Sequence, residues 1–256
     1  MRFPRVQFLI AGTQKGGTSA LDAYLRDHPG IAMASRKEVH FFDDDARFVP
    51  GRTPDYAGYE RFFVDAPRAA VAGEATPVYM YWHAAPARIH AYNPAMKLVV
   101  VLRNPITRAY SHWNMEHTRG ADRLSFWRAL QMERLRCRTA WPAQHRVYSY
   151  VDRGFYSQQL ARVWQTIPRA QTLVIRHERL KADPQAVLDE VCAFLGVEPM
   201  RVAAKKDVHT LAYAQAMAER EWRFLAERFE DEIRALERLF GWDCSAWLQT
   251  PAAQTR

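Results

Sequence analysis

Residues 6–19 read "VQFLIAGTQKGGTS", an apolar run that breaks into a glycine-rich loop and then into small hydroxyl residues. The run 6–11 is short, apolar and succeeded by turn residues, which predicts a buried strand. The loop after it comes close to the nucleotide-binding pattern G-x-x-x-x-G-K-[ST] and departs from it at one place. Gly12 and Gly17 keep the four-residue gap, but Thr18 occupies the lysine position, and the lysine stands three residues earlier, at Lys15. A strand, a glycine loop and a helix in that order aim several backbone N–H groups and a helix N-terminus at one point, and that point attracts phosphate. Lys15 adds a full charge, and Thr18 and Ser19 add hydroxyl donors at the helix start. A plain tight turn at Gly16-Gly17 with Thr18 as a helix cap uses the same letters, so the loop alone leaves both readings open.

Working outward, "TSALDAYLRDHPG" predicts the helix after the loop, with Leu21, Tyr24 and Leu25 as its apolar stripe and Pro29-Gly30 as its stop. "AAVAGEA" (69–75), "MKLVVVLRNP" (96–105) and "QTLVIRHE" (171–178) read as further strands. The second of these is continuously apolar and β-branched, as a central parallel strand covered on both faces must be. "DPQAVLDEVCAFLG" (183–196) is a marked helix, with Asp183 as cap, Pro184 at its first position and Gly196 as its end. A long amphipathic helix carrying Phe229, Ile233, Leu236 and Phe240 on one face stops at Gly241. Strands alternating with helices predict an α/β, P-loop-like three-layer fold whose central, largely parallel sheet is flanked by helices. Residues 1–249 are expected to form a single domain, with 250–256 as a tail. Ligands of such sheets lie beyond the carboxyl ends of the strands, where the loop at 12–19 and Arg103 both emerge.

"LRNPITRAYSHW" (102–113) supplies a second anion-binding element. Arg103 stands at a strand end, and Ser111 lies two turns into the helix that Pro105 opens; a planar fork and a hydroxyl can share one phosphate. A nucleoside triphosphatase would place an acid at such a strand end to hold Mg²⁺. An arginine there points to a ligand with phosphates at two places, neutralised by side chains, and no metal is expected.

The 256 residues carry a net charge of +8, with 48% hydrophobic and 25% charged residues, ordinary for a globular enzyme with an anionic partner. Nucleic acid is not expected as that partner, because no basic arm, zinc finger or RNP-like motif is present. Cys137, Cys192 and Cys244 are widely spaced and form no C-x-x-C, so neither a zinc site nor a disulfide framework is indicated. No apolar run approaches the roughly 18 residues of a membrane span. A cytoplasmic location is the expectation. The oligomeric state is not legible.

Together these segments resemble the sulfotransferases that use 3′-phosphoadenosine 5′-phosphosulfate (PAPS), and most closely the branch of heparan sulfate enzymes with their bacterial relatives. "QKGGTSAL" is similar to that family's loop for the 5′-phosphosulfate, and "RNPITRAYSH" to its segment for the 3′-phosphate. "HPGIAMASRKEVHFFD" (28–43), "GEATPVYM" and several downstream segments extend the likeness over roughly residues 6–247. The resemblance implies a sulfotransferase that leaves 3′,5′-adenosine bisphosphate (PAP) as product and acts on a hydroxyl, less readily an amine, of a glycan, glycolipid or secondary metabolite. It implies Glu38 as catalytic base, Lys15 with the Gly16, Gly17, Thr18 and Ser19 segment on the 5′-phosphate side, and Arg103 with Ser111 on the 3′-phosphate. From residues alone, Glu38 reads more readily as a surface acid paired with Lys37 or Arg36, and it is the resemblance that makes it the base. His40 reads as an assisting base, an orienting group or a residue packed beside Phe41-Phe42. Lys37 is a further candidate for touching the transferred group.

Two departures stand out. Heparan-type members often have a lysine after the glutamate equivalent to Glu74, where this chain has Ala75, and their disulfide-bracketed cofactor loop is replaced by "RVAAKKDVHT". Lys205 or Lys206 is the candidate substitute there. Tyr79, Tyr81, Trp82, Trp113, Trp141, Tyr148 and Tyr150 are either acceptor-stacking or core residues, and Arg134, Arg136, Arg138 and Arg146 read as a loop. A P-loop kinase or nucleoside triphosphatase, and a nucleotide-binding module without catalysis, are the alternatives.

Overall fold

A computed structural model describes residues 5–63, 71–202 and 216–250. In chain order the elements are β1 (Phe8–Gly12), α1 (Thr18–Arg26), β2 (Ile31–Met33), α2 (Tyr56–Glu60), β3 (Val71–Ala75), α3 (Ala85–Tyr92), β4 (Lys97–Leu102), α4 (Pro105–Thr118), α5 (Phe126–Cys137), α6 (Tyr156–Trp164), β5 (Thr172–Arg176), α7 (His177–Ala182), α8 (Pro184–Leu195) and α9 (Glu219–Phe240). The five strands pair in parallel in the order β2-β3-β1-β4-β5. With helices on its flanks, this sheet gives the three-layer α/β arrangement that the alternation of segments predicts. The chain divides into two compact units, one within Met1–Arg103 and Arg162–Thr210 and the other within Asn104–Ala161 and Leu211–Arg256.

The first unit holds the sheet. Phe8, Ile10, Val99, Val101 and Ile175 turn one way and pack with Leu21, Tyr24 and Leu25 of α1 and with Val187, Leu188, Val191 and Leu195 of α8. Leu9, Leu98, Val100 and Leu102 turn the other way and are also buried. Apolar residues at successive positions are therefore required on both faces, which is why 98–102 reads as an unbroken run. Gly73 faces Phe8 in the β1–β3 register, and a Cβ on it would lie 2.1 Å from the Phe8 ring, so the ring occupies the space a side chain would need. The β2 strand escapes the sequence reading because three residues are too short for either periodicity to register.

The caps of α8 obey their chemistry. The Asp183 side chain accepts the Ala186 amide at 3.1 Å, Pro184 opens the helix, and Gly196 closes it at φ 81°. In the second unit, α9 buries Trp222, Leu225, Phe229, Ile233 and Leu236, and Gly241 ends it at φ 66°. Of the four arginines expected in a loop, Arg134 and Arg136 lie instead in α5 and Arg138 begins the short 3₁₀ turn after it, while Arg146 stands in an irregular turn. No helix among the described residues is long and apolar enough to cross a membrane.

Candidate active site

All five strands run the same way, so their carboxyl ends share one edge of the sheet. The loop after β1 sits there. The Thr13 amide donates to the Val101 carbonyl at 3.1 Å, and the Gly16 amide returns to the Thr13 carbonyl at 2.8 Å, closing a turn against β4. Lys15 takes a left-handed conformation at φ 67°, and Gly17 does so at φ 101°. Gly16 cannot be larger: a Cβ there would lie 2.5 Å from the Val101 carbonyl oxygen and 2.8 Å from that of Thr13. Gly17 is also the N-cap of α1 and brings no side-chain acceptor to it, so the first-turn amides of Thr18 and Ser19 face outward from the helix start. Thr18 is thus the first helical residue, not the cap.

Arg103, at the end of β4, donates from Nη1 to the Lys15 carbonyl at 3.2 Å. The Arg103 guanidinium is thereby held against the backbone of the glycine loop, 88 positions earlier in the chain. Beyond Gly17 stands His177, at the end of β5, whose ring lies 3.1 Å from where a Gly17 Cβ would be. Burial, then the charges of Arg103 and Lys181, push its pKa down to about 4, so it is neutral while the groups around it are positive. His177 is not legible as a site residue in the sequence, since it stands after a strand with no spacing that marks it.

A second group lies in the segment between β2 and α2. The His40 ring places Nδ1 3.0 Å from an Asp43 oxygen and Nε2 3.3 Å from a Glu38 oxygen. Lys37 Nζ donates to the other Glu38 oxygen at 3.3 Å. Hydrogen bonds to Asp43 and then Glu38 outweigh burial and push the His40 pKa up to about 9. For Glu38, burial opposes the charge, but the His40 hydrogen bond and the Lys37 and His40 charges prevail and hold the carboxyl below its ordinary value. The result is an ionised carboxylate between two cations at neutral pH. The His40 side chain is 41% exposed and turns its ring nitrogens to Asp43 and Glu38, while both phenylalanines are buried. Asp43, fully buried, is the member that sequence reading missed, although the His-x-x-Asp spacing was its signal.

The loop and this segment are tied to one another through the stretch after β3. The Thr76 amide donates to Ile10 at 3.2 Å and the Met80 amide to Ala11 at 2.9 Å, while the Thr76 hydroxyl accepts the Val39 amide at 3.0 Å. Glu74 is fully buried behind it, and Ala75 is buried as well.

In the second unit, Asn104 caps α4 by accepting the Ile106 amide at 2.9 Å, and Ser111 is buried on the same helix. Arg108 is fully buried and donates to the Tyr150 carbonyl. Of the candidate aromatic residues, Tyr79, Tyr81, Trp82, Trp113 and Tyr150 are buried, whereas Trp141 is 81% exposed. Lys205 and Lys206 lie outside the described residues. Among those described, no group of three or more His, Cys, Asp or Glu forms a metal-holding cluster.

Comparison with known proteins accords with this geometry. Residues 5–229 match the model of the sulfotransferase domain. Heparan sulfate glucosamine 3-O-sulfotransferase 6 of Homo sapiens is 37% identical over 199 residues, which are 77% of this chain and 53% of that protein. Heparan sulfate glucosamine 3-O-sulfotransferase 3B1 of Mus musculus is 33% identical over 200 residues, 75% of this chain and 46% of that one. The chain thus spans about half the length of the curated relatives it matches. Among solved structures, a sulfotransferase from Alicyclobacillus acidocaldarius is 31% identical with a TM-score of 0.80, covering 96% of this chain and all of that one. The fold is shared with mouse sulfotransferase SULT7A1 complexed with PAP, at 15% identity and a TM-score of 0.57 over 90% of this chain and 85% of that one. A loop with its lysine at position 15, an arginine at the end of β4 and a sheet that superposes on that of the bacterial enzyme lead to one assignment: this chain belongs to the sulfotransferase domain family.

Proposed function

We propose that the protein transfers a sulfuryl group from PAPS to a hydroxyl of a glycan, glycolipid or secondary-metabolite acceptor. The observation that carries this reading is the bond from the Arg103 guanidinium to the Lys15 carbonyl, which sets a cation from the end of β4 against a lysine-bearing loop whose Gly16 backbone admits no side chain. Those features suit a ligand with anionic groups at two places. When bound, PAPS supplies the sulfuryl group. Lys15 and the amides of Gly16, Gly17 and Thr18 balance the charge that builds on the 5′-phosphate side, an electrostatic role suited to a loose, in-line transfer. Arg103 is the group assigned to the 3′-phosphate, and the likeness of its segment makes Ser111 a second candidate. Glu38, kept ionised by Lys37 and His40, would receive the proton of the acceptor hydroxyl as that oxygen bonds to sulfur and the bond from sulfur to the 5′-phosphate oxygen breaks, leaving PAP.

The names of the curated relatives make a glucosamine hydroxyl of heparan sulfate one acceptor to test. Ala75, buried where heparan-type members often carry a lysine, weighs against an acceptor of that high charge and for a less anionic one. The experiment is transfer from radiolabelled PAPS to a panel of glycans, glycolipids and phenols, with calorimetric titration of PAP and AMP beside it. Transfer to one acceptor class, and PAP bound more tightly than AMP, are the expected results. Equal affinity for PAP and AMP with no transfer would favour a binding module, and Mg²⁺-dependent ATP hydrolysis a nucleoside triphosphatase.

A further inference from the structure

Glu74 touches no solvent, yet it accepts three hydrogen bonds. Tyr59 and Tyr79 donate to Oε1 at 3.0 and 2.7 Å, and Thr76 donates to Oε2 at 2.5 Å. A carboxylate can only accept, so each hydroxyl must turn its single proton toward it. That leaves the oxygen lone pairs facing away from Glu74. They are used by three amides: the Thr76 hydroxyl accepts the Val39 amide at 3.0 Å and the His40 amide at 3.5 Å, and the Tyr79 hydroxyl accepts the Phe41 amide at 2.9 Å. Val39 and Phe41 are buried, and the residues that alternate with them, Glu38 and His40, have side chains 27% and 41% exposed.

We propose that Glu74 is a positioning residue: its buried carboxylate sets the direction of the Thr76 and Tyr79 hydroxyls, which grip the amides of residues 39–41 and hold Glu38 and His40 within reach of each other on the solvent side. The catalytic consequence rests on the reading of Glu38 as base; the geometric claim does not. Burial first, and then the Glu74 charge, raise Tyr59 and Tyr79 well above the ordinary phenol range, so both remain donors. Burial also raises Glu74, against the three hydroxyls and the Val39 amide. A glutamine at 74 would present an amide proton to at least one hydroxyl. That hydroxyl must then turn its own proton elsewhere in a closed pocket, against the amide it now accepts.

The groups facing His40 are Glu38 and Asp43, with Lys37 on the far side of Glu38; Asp43 also lies near Tyr79. Loosening the segment lengthens the His40 pairs and weakens the charges that hold its proton. The test is the imidazole titration of His40 by NMR in the full chain, in wild type, E74Q, T76V and T76S, with PAP affinity and thermal melting recorded alongside. In E74Q and T76V the His40 midpoint should fall by about one pH unit, a tenfold loss of proton affinity, while PAP affinity stays within about twofold. T76S, which restores the hydroxyl, should restore the midpoint. A simple loss of stability would lower the melting temperature without moving the midpoint of the folded enzyme. Unchanged midpoints in E74Q and T76V would overturn the proposal, and should E74Q fail to fold, the near-isosteric T76V decides it alone. The transfer assay separates the two readings: wild type that transfers to no acceptor removes the enzymatic role, while the His40 midpoint still decides the role of Glu74.

Discussion

The two halves of the candidate site are held in opposite ways. The loop at 13–17 is fixed by its own backbone: amide to carbonyl at Thr13 and Gly16, left-handed φ at Lys15 and Gly17, and a carbonyl of β4 where any Cβ of residue 16 would go. The 37–43 segment has one left-handed residue, His40 at φ 57°, and is otherwise held mainly by side chains, namely Thr76, Tyr79 and Arg88 from elsewhere and, within itself, Asp43. The first kind of support suits a ligand recognised by main-chain amides, which needs one rigid shape. The second suits groups that must carry set charges. If this division is real, variants in the loop change how tightly PAP binds, and variants in the segment change turnover.

The largest expected effect is on turnover. E38Q should lower kcat by about a hundredfold to ten-thousandfold, the usual range for a positioned base, with PAP affinity unchanged. A wild-type rate would remove Glu38 as base and break the comparison. Next comes G16A, whose methyl group must displace the Val101 or Thr13 carbonyl. Overpacking of this kind costs about 1–3 kcal/mol, so PAP affinity measured by calorimetry should fall up to roughly a hundredfold. R103A removes a charge-assisted contact and should weaken PAP by about 2 kcal/mol, roughly thirtyfold, with little loss for AMP. Equal losses for both nucleotides would move Arg103 off the 3′-phosphate.

The smallest effect is a contrast in pH. His40, raised to about 9, stabilises the fold fully below its ordinary value near 6.5, and that contribution is lost as pH rises through 9. His177, lowered to about 4, does the reverse: the unfolded chain takes up its proton first, so stability falls as pH drops from 6.5 toward 4. Melting temperature against pH should therefore flatten on the alkaline side in H40N and on the acid side in H177Q. Identical profiles for the two variants would erase the distinction.

The same division explains what the sequence could disclose. Backbone constraints leave letters behind, as in Gly16 and Gly17 of the loop, the apolar run of β4, Pro105 at the start of α4, and Asp183 with Gly196 around α8. Contacts over long separations leave none. Thr76 and Tyr79 reach 37 and 38 residues back to Val39 and Phe41, and no local pattern marks them. Helix α5 was hidden for a related reason. Its buried face comprises Phe126, Ala129, Leu130 and Glu133, and the last breaks the apolar stripe. Glu133 is buried because its carboxylate accepts the amides of Val151 and Asp152 at 2.8–2.9 Å, a partnership that spacing does not show. Exposed Met132 and Leu135 blur the face further. Glu38 was legible through family likeness alone, since an acid beside a lysine has the same letters on any surface.

The hold on the 38–41 segment has one more implication. Thr76 and Tyr79 grasp main-chain amides, which every residue but proline possesses. The path of the segment is thus indifferent to the side chain at position 38, whereas position 40, at φ 57°, accepts only residues that tolerate a left-handed backbone. For protein engineering, position 38 is an open socket on a fixed rail and position 40 a restricted one, suited to His, Asn, Asp or Gly: within that limit new acid–base pairs can be mounted there without rebuilding the nucleotide end of the molecule.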